Sequence, residues 1–407
     1  MVLPPSRLSM QLSRSPDLRQ LRDDGYEVRV TEAGHLVVSH VPYIGADRQP
    51  AYGQLVSRLN FAGDVVQYDG RHEAFFVGGI PSDREGTQLT KLINQPNLNQ
   101  TLEAGVVATV GMSIKPDGNY RDYHHKMTTY IDMISAHAQS LHPSMTATTH
   151  PPTEDDDPTG PFQYLDSASS RAGISAIADR LRLGKVVIIG LGGTGSYVLD
   201  LVAKTPIGAI HLYDGDDLFT HNAFRAPGAT PLDILRSKPK KVDHSAAVYS
   251  NMKRGIVSHP EYVTETNVEE LRDADFVFLT MEGNQTKRMV VDRLSDFGIP
   301  FIDVGIGLNI VGDMLQGAVQ TITRTPNRVG RTPERHAIAF DAADEEDEED
   351  EEDVYDLNIQ VADLNALNAT MAVIRWKKLF GFYGDLEDEH YSIYTIDGNH
   401  LANEDTP

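Results

Sequence analysis

Four glycines, Gly190, Gly192, Gly193 and Gly195, follow the β-branched run Val186 to Ile189 and lead into Ser196. Without a Cβ, glycine lets the chain turn sharply. A helix that starts in such a turn points unpaired N–H groups and the positive end of its dipole at whatever occupies it. That is chemistry for an anion, above all a phosphate. The next apolar run, Ala209-Ile-His-Leu-Tyr213, closes on Asp214, about 20 residues beyond the loop, where an acidic side chain meets ribose hydroxyls. The glycine pattern itself is shared by nicotinamide, flavin and adenine nucleotides, so the loop alone leaves a dinucleotide and ATP both open.

The continuation separates them. Asp214-Gly-Asp216 is followed by Asn222, by Arg225 and by Ser237-Lys-Pro-Lys240. A hydride transfer has no use for an arginine there. An enzyme that neutralises a triphosphate and releases pyrophosphate does. This combination resembles the signature of the ubiquitin-activating-enzyme-like adenylyltransferases typified by ThiF, MoeB and HesA. The resemblance implies Mg·ATP with its phosphates on Gly190, Gly192, Gly193, Gly195 and Ser196, and with Asp214 and Asp216 in the nucleotide site. It also implies that Arg225 and Lys240 take the phosphate charge and that Asn222 orients the phosphates or the nucleophile. Beyond the apolar run Phe276 to Thr280 the family places an Asp-Asn pair and, five residues after the Asp, an arginine. The same register here gives Glu282, Gly283 and Lys287, and Glu282 is the expected magnesium ligand, its carboxylate one methylene further out. Family habit further implies a homodimer, with Arg171 reaching the partner subunit's site and Arg180 and Arg182 as competitors for that role. Asp217, His221 and Lys238 are expected as solvated loop residues and Lys241 as a helix-surface charge.

The implied reaction is ATP-dependent activation of the carboxyl-terminal glycine of a ubiquitin-like protein to an acyl-adenylate. The adenylate then passes to a conjugating enzyme's cysteine, a sulfur acceptor or an amine. The chain has no cysteine, so it carries no thioester itself and no Cys-x-x-Cys zinc site. Two other readings stay open: adenylation of a ribosomal peptide, as in peptide-antibiotic biosynthesis, and a nucleotide-binding scaffold without catalysis. Pyrophosphate exchange into ATP, tested with each partner, separates the three.

These residues need elements to hold them. At 407 residues the chain is long enough for two or three domains. Region 167–407 alternates strand and helix patterns, with strands expected at Val186 to Ile189, Ile210 to Tyr213, Phe276 to Thr280 and Phe301 to Val304 and the helix after the glycines near Ser196. Such alternation predicts an α/β, Rossmann-like, mostly parallel sheet with helices on both faces. Near its end, Ile359, Leu364, Leu367, Met371, Ile374 and Phe380 predict a helix packed on that sheet or on a dimer partner. Region 1–150 predicts a smaller α+β domain, possible partner recognition or a conjugating-enzyme-like fold without a nucleophile. Its strands are expected at His35 to Tyr43, Ala74 to Gly79 and Val106 to Ser113, before an amphipathic helix through Met127, Tyr130, Ile131, Ile134, Ala138 and Leu141. Residues 151–166, rich in proline and acid, predict a linker. His124 and His125 are adjacent and His72 is isolated, so none has metal-ligand spacing.

The formal net charge is −23, and Asp341 to Asp353 holds eleven acids in thirteen residues, so −23 + 11 leaves −12 for the rest. That block predicts a disordered acidic loop. No basic stripe points to nucleic acid, and no apolar run reaches membrane-spanning length. The amino end lacks a signal-peptide core, which gives a cytoplasmic expectation.

Overall fold

The computed structural model describes residues 12, 14–63, 65–115, 118–155, 159–282, 285–326 and 359–403. The acidic run from Asp341 to Asp353 lies outside them. The chain divides into two compact units, Met1–Thr159 with Tyr164–Ala172, and Gly160–Gln163 with Gly173–Pro407.

The first unit is α+β. Its sheet runs Val28–Val30, His35–Ile44, Pro50–Arg58, Glu73–Val77, Val110–Ser113 and Ile93–Gln95, with every neighbouring pair antiparallel. One face is covered by the helix Tyr123–Leu141, whose Met127, Tyr130, Ile131 and Ile134 pack on Leu36, Val38, Leu55 and Phe76. Leu141, expected on that face, is exposed at the helix end. A helix not anticipated from the sequence, Pro16–Asp23, inserts Leu18 and Leu21 into the same core. The expected strand through Val106 to Ser113 is broken into Val106–Ala108 and Val110–Ser113, which pair in different sheets. His124 meets Asp24 at 2.7 Å, while His125 accepts from the Arg121 amide at 3.3 Å. The adjacent histidines therefore serve different partners.

The second unit is an eight-stranded sheet in the order Ile256–His259, Ala209–Tyr213, Lys185–Ile189, Phe276–Leu279, Phe301–Val311, Met314–Arg324, Tyr391–Thr395 and His400–Asn403. The first five strands are parallel and the last three add antiparallel. The chain starts at Lys185–Ile189, moves outward through two strands, then returns to the other side at Phe276–Leu279. A crevice therefore opens at the carboxyl end of Lys185–Ile189, where such sheets bind ligands.

The strands are continuous apolar runs because helices cover both faces. Val186, Ile188, Ile210, Leu212, Phe276 and Phe278 face Val198, Leu199 and Val202 of the helix Gly193–Val202, and Ala369, Ala372 and Trp376 of the helix Ala362–Leu379. Val187, Ile189, Val277 and Leu279 face Val290 and Leu294 of the helix Gln285–Phe297. The helix Gly193–Val202 begins three residues before the expected Ser196, because the glycines themselves form its first turn. Most of the apolar residues expected to pack near Ala362–Leu379 do so: Leu364 is buried, and Ile359, Leu367, Met371 and Phe380 lie partly buried against apolar clusters. Ile374 is exposed, and the buried stripe runs through Asn365, Asn368, Ala369, Ala372, Val373 and Trp376. Ala369 and Ala372, which sequence reasoning did not single out, add a contact with the sheet beside Trp376.

On the outer strands, His211 and His259 stack with ring centroids 5.1 Å apart, and their Nδ1 and Nε2 atoms lie 3.0 Å apart. Burial lowers the His211 pKa to about 4 and depresses His259 too. The folded pair is therefore neutral while unfolded histidine titrates near about 6.5. Its stability contribution is complete above the unfolded value and fades as pH falls towards about 4. Melting temperatures across this range should fall less steeply for His211→Phe than for the natural chain. Parallel slopes would remove the pair as a source of acid sensitivity.

Candidate functional site

The strand Lys185–Ile189 ends in Gly190, whose φ is +94° and whose N–H donates to the Tyr213 carbonyl at 2.8 Å. A Cβ on Gly195 would stand 1.9 Å from the Gly190 oxygen, and one on Gly193 would stand 2.0 Å from Asn365 Nδ2. Thr280 closes the turn by donating its hydroxyl to the Gly190 and Ile189 carbonyls at 2.5 and 3.0 Å. Gly190, Gly193 and Gly195 are thus demanded by close packing. Gly192 differs, since nothing lies within 4 Å of its Cβ position. It caps the helix with no side-chain acceptor, and the first N–H groups of the helix have no intrahelical partner. An anion has room to approach there. Ser196 spends its hydroxyl on the turn, donating to the Gly192 carbonyl at 2.7 Å.

Asp214 is 7% exposed and joins this loop to the next. It accepts from the Leu191 amide at 2.6 Å and from the Asp216 amide at 2.9 Å. Burial pushes its carboxyl above the usual range, against the pull of Lys241 and these amides. Lys241 is not the expected surface charge. It is buried at the start of the helix Lys241–Tyr249, with Nζ 2.5 Å from Asp216 and 3.9 Å from Asp214. Burial alone would raise Asp216, but hydrogen bonds from Lys241 and the Tyr262 hydroxyl outweigh it and hold that carboxyl below its usual range. Lys240 is half-exposed; its ammonium donates to the Gly215 carbonyl at 2.8 Å and meets Asp217 at 2.9 Å. Asp217 is therefore an ion-pair partner rather than a merely solvated residue, and its hydrogen bond raises Lys240. Lys238 takes the left-handed position that ends Leu232–Ser237.

Asn222 sits on the short helix Thr220–Ala223, where its Oδ1 accepts from the Phe219 amide at 2.9 Å. Its Nδ2 is buried with no hydrogen-bond partner, and so is Arg225 Nε. Buried donors without acceptors are costly unless a ligand supplies them. The Arg225 carbonyl lies 3.5 Å from Asn365 Nδ2, which places this residue's backbone beside the glycine helix. The helix-end amides at the open Gly192 and the two unmatched donors of the next connection are each groups of the kind that bind phosphate oxygens.

The remaining expected residues take different places. Glu282 is exposed just beyond Phe276–Leu279, and Gly283 is outside the described residues. Lys287, in the register of the family's arginine, is buried with Nζ 2.7 Å from Asp303. Arg171 ends the helix Ser167–Arg171 and groups with the first unit. Arg180 donates to the Gly381 carbonyl and Arg182 pairs with Asp179 at 2.9 Å. Among the described residues no cluster of three or more His, Asp or Glu could hold a metal, and no helix is long and apolar enough to cross a membrane. Sequence reasoning missed Thr280, Tyr262 and Asn365. Their partners lie far along the chain, so no local pattern marks them, and the same holds for Lys241.

A glycine-rich turn at the crevice of a parallel sheet, followed by Asp-x-Asp, asparagine, arginine and lysine, defines a nucleotide-binding α/β domain. The chain belongs to the ThiF family, whose model matches residues 169–401. Residues 16–167 match a domain of unknown function, DUF6791. No curated protein matches the chain. Among solved structures it is similar to PaaA in its selenomethionine form, at 21% identity and a TM-score of 0.43 over 56% of this chain and 66% of that one. It is similar to Escherichia coli MccB with ATP at 16% identity and a TM-score of 0.41, over 56% and 65% of the two chains. A third, the microcin C7 biosynthetic enzyme MccB in complex with N-formylated MccA, gives 19% and 0.42 over 56% and 66%. The match thus spans just under two thirds of these proteins' lengths.

The two lysines should separate. Lys241→Ala leaves two carboxylates without their buried cation, costing roughly 2–3 kcal/mol, less than a fully buried pair because Asp216 is 29% exposed. Lys240→Ala should leave the urea midpoint in place. Equal midpoints for both variants would contradict the buried role of Lys241.

Proposed function

We propose that this chain is an adenylyltransferase that activates the carboxyl terminus of a protein or peptide with ATP, and that its substrate is a ubiquitin-like protein ending in glycine. Membership of the ThiF family supports the reaction class. The observation that carries it to these residues is the pair of buried, unmatched donors, Asn222 Nδ2 and Arg225 Nε, with the Arg225 carbonyl 3.5 Å from Asn365, which accepts from Thr194 of the glycine helix.

The phosphates lie against the open Gly192 side of the turn and the ribose lies towards Asp214. Two of the carboxylate's lone-pair sites are taken by the Leu191 and Asp216 amides, and others remain for a hydroxyl. A substrate carboxylate oxygen attacks the α-phosphorus, the bond from that phosphorus to the β-phosphate oxygen breaks, and pyrophosphate leaves. The product is an acyl-adenylate. The nucleophile is already ionised, so positioning and charge neutralisation suffice. Arg225 and Lys240 supply the charge, Lys240 by exchanging Asp217 for phosphate oxygen. Magnesium, with Glu282 as its protein ligand, would neutralise charge on the same oxygens. With no cysteine in the chain, the adenylate passes directly to an external acceptor, a conjugating enzyme's thiol or a sulfur acceptor. A cytoplasmic homodimer in which Arg171 serves the partner's site belongs to the same proposal, and sedimentation tests the dimer.

Labelled pyrophosphate should exchange into ATP when a ubiquitin-like protein is added, and Arg225→Ala should lower that exchange at least about 100-fold, as loss of a charge-stabilising donor does, without altering the melting temperature. Exchange that depends on a short peptide instead would move the substrate to a ribosomal peptide. ATP binding without exchange under any partner would leave a nucleotide-binding scaffold, and unchanged activity in Arg225→Ala would overturn the site.

A further inference from the structure

The helix Ala362–Leu379 carries two asparagines one turn apart, Asn365 and Asn368, both at 0% exposure. Amides buried in an otherwise apolar face persist only with partners. Asn368 ties the helix to the sheet: its Nδ2 donates to the Gly305 carbonyl at 3.0 Å and its Oδ1 accepts from Thr321 at 3.4 Å. Asn365 turns to the nucleotide loop instead. Its Oδ1 accepts from the Thr194 hydroxyl at 2.9 Å, and its Nδ2 reaches the Arg225 carbonyl at 3.5 Å, the long end of a hydrogen bond. Its amide also occupies the space a Cβ on Gly193 would need, with Nδ2 at 2.0 Å and Cγ at 2.5 Å.

We propose that Asn365 is a positioning residue that sets the spacing between the phosphate-binding helix start and Arg225, and that Gly193 is glycine in order to admit Asn365. This rests on the adenylation reading. The physical reason is that the helix start and Arg225 belong to different connections of the sheet, and one amide bonds to both. Fixing the helix end that takes the phosphates relative to the cation that neutralises them matters because a misplacement of about 1 Å costs on the order of 100-fold in rate. The same amide explains why an alanine at position 193 cannot be accommodated even though that side of the turn is not where Gly192 opens to a ligand.

Pyrophosphate exchange, calorimetric ATP binding and melting temperature, measured on the full chain, test this with Asn368→Ala as the structural comparison. Asn365→Ala should lower kcat for exchange about 100-fold, whereas Asn368→Ala should lower the melting temperature and leave kcat intact below it. Gly193→Ala should destabilise the natural chain, and adding Asn365→Ala should recover most of that loss by removing the amide that collides. Asn365→Ala with normal kcat and normal ATP affinity would overturn the proposal, as would Gly193→Ala being equally damaging in both backgrounds. If the natural chain shows no exchange with any partner tested, the adenylation reading falls. The Asn365→Ala effect on ATP affinity, set against Asn368→Ala, then still decides whether the amide positions the site.

Discussion

A carboxylate withdrawn from water between two backbone amides holds this site together. Asp214 accepts from Leu191 in the glycine turn and from Asp216 in the following loop, and Lys241 at the head of the next helix compensates its charge. Two connections at the carboxyl ends of the strands, one carrying Leu191 and the other Asp216 and Lys241, therefore meet at one side chain. Burying a carboxylate without such partners would cost more than the fold could recover. Because the partners are supplied by backbone and by a lysine that is itself buried, the arrangement is rigid before any ligand arrives. That is what a site acting by positioning needs.

The glycines extend this rigidity. Gly190 and Gly195 let the end of the first strand and the first turn of the helix touch, and Thr280 locks that contact from the neighbouring strand. Only the Gly192 side of the turn stays open. A pattern that reads as one motif in sequence thus divides into residues required by packing and a residue that leaves room for a ligand.

Much of this was legible from local spacing. The central strands announced themselves as unbroken apolar runs because both faces are covered, and Asp214, Asn222, Arg225 and Lys240 follow the loop in a fixed order. What was not legible depends on contacts across long separations. Lys241 looks like any lysine at a helix start until the acid pair folds against it. Asn365 lies 171 residues from Thr194, and nothing in its neighbourhood distinguishes it from a solvated asparagine. The face of its helix was legible in part: Leu364, Leu367, Met371 and Phe380 pack against apolar clusters as expected, while Ala369 and Ala372 make the close contact beside Trp376 and Ile374 is exposed. Apolar size marks a buried face only where the neighbour leaves space for it.

Charge explains why such a site can take a triphosphate on so acidic a chain. The formal net charge of −23 opposes an incoming nucleotide, but screening limits that field to roughly 8 Å at physiological salt. What counts is the balance within the crevice. There Lys241 cancels much of the Asp214 and Asp216 charge, and Lys240 is held on Asp217. In the proposed reading this leaves Arg225 and the end of the glycine helix to act on the ligand. Under the proposed adenylation Lys240 turns from Asp217 to phosphate, which redirects its charge without changing the net charge of the crevice. The formal charges of Lys240, Lys241 and Arg225 balance those of Asp214, Asp216 and Asp217, so the attraction for an anion depends on which of these groups face it and not on a net positive charge.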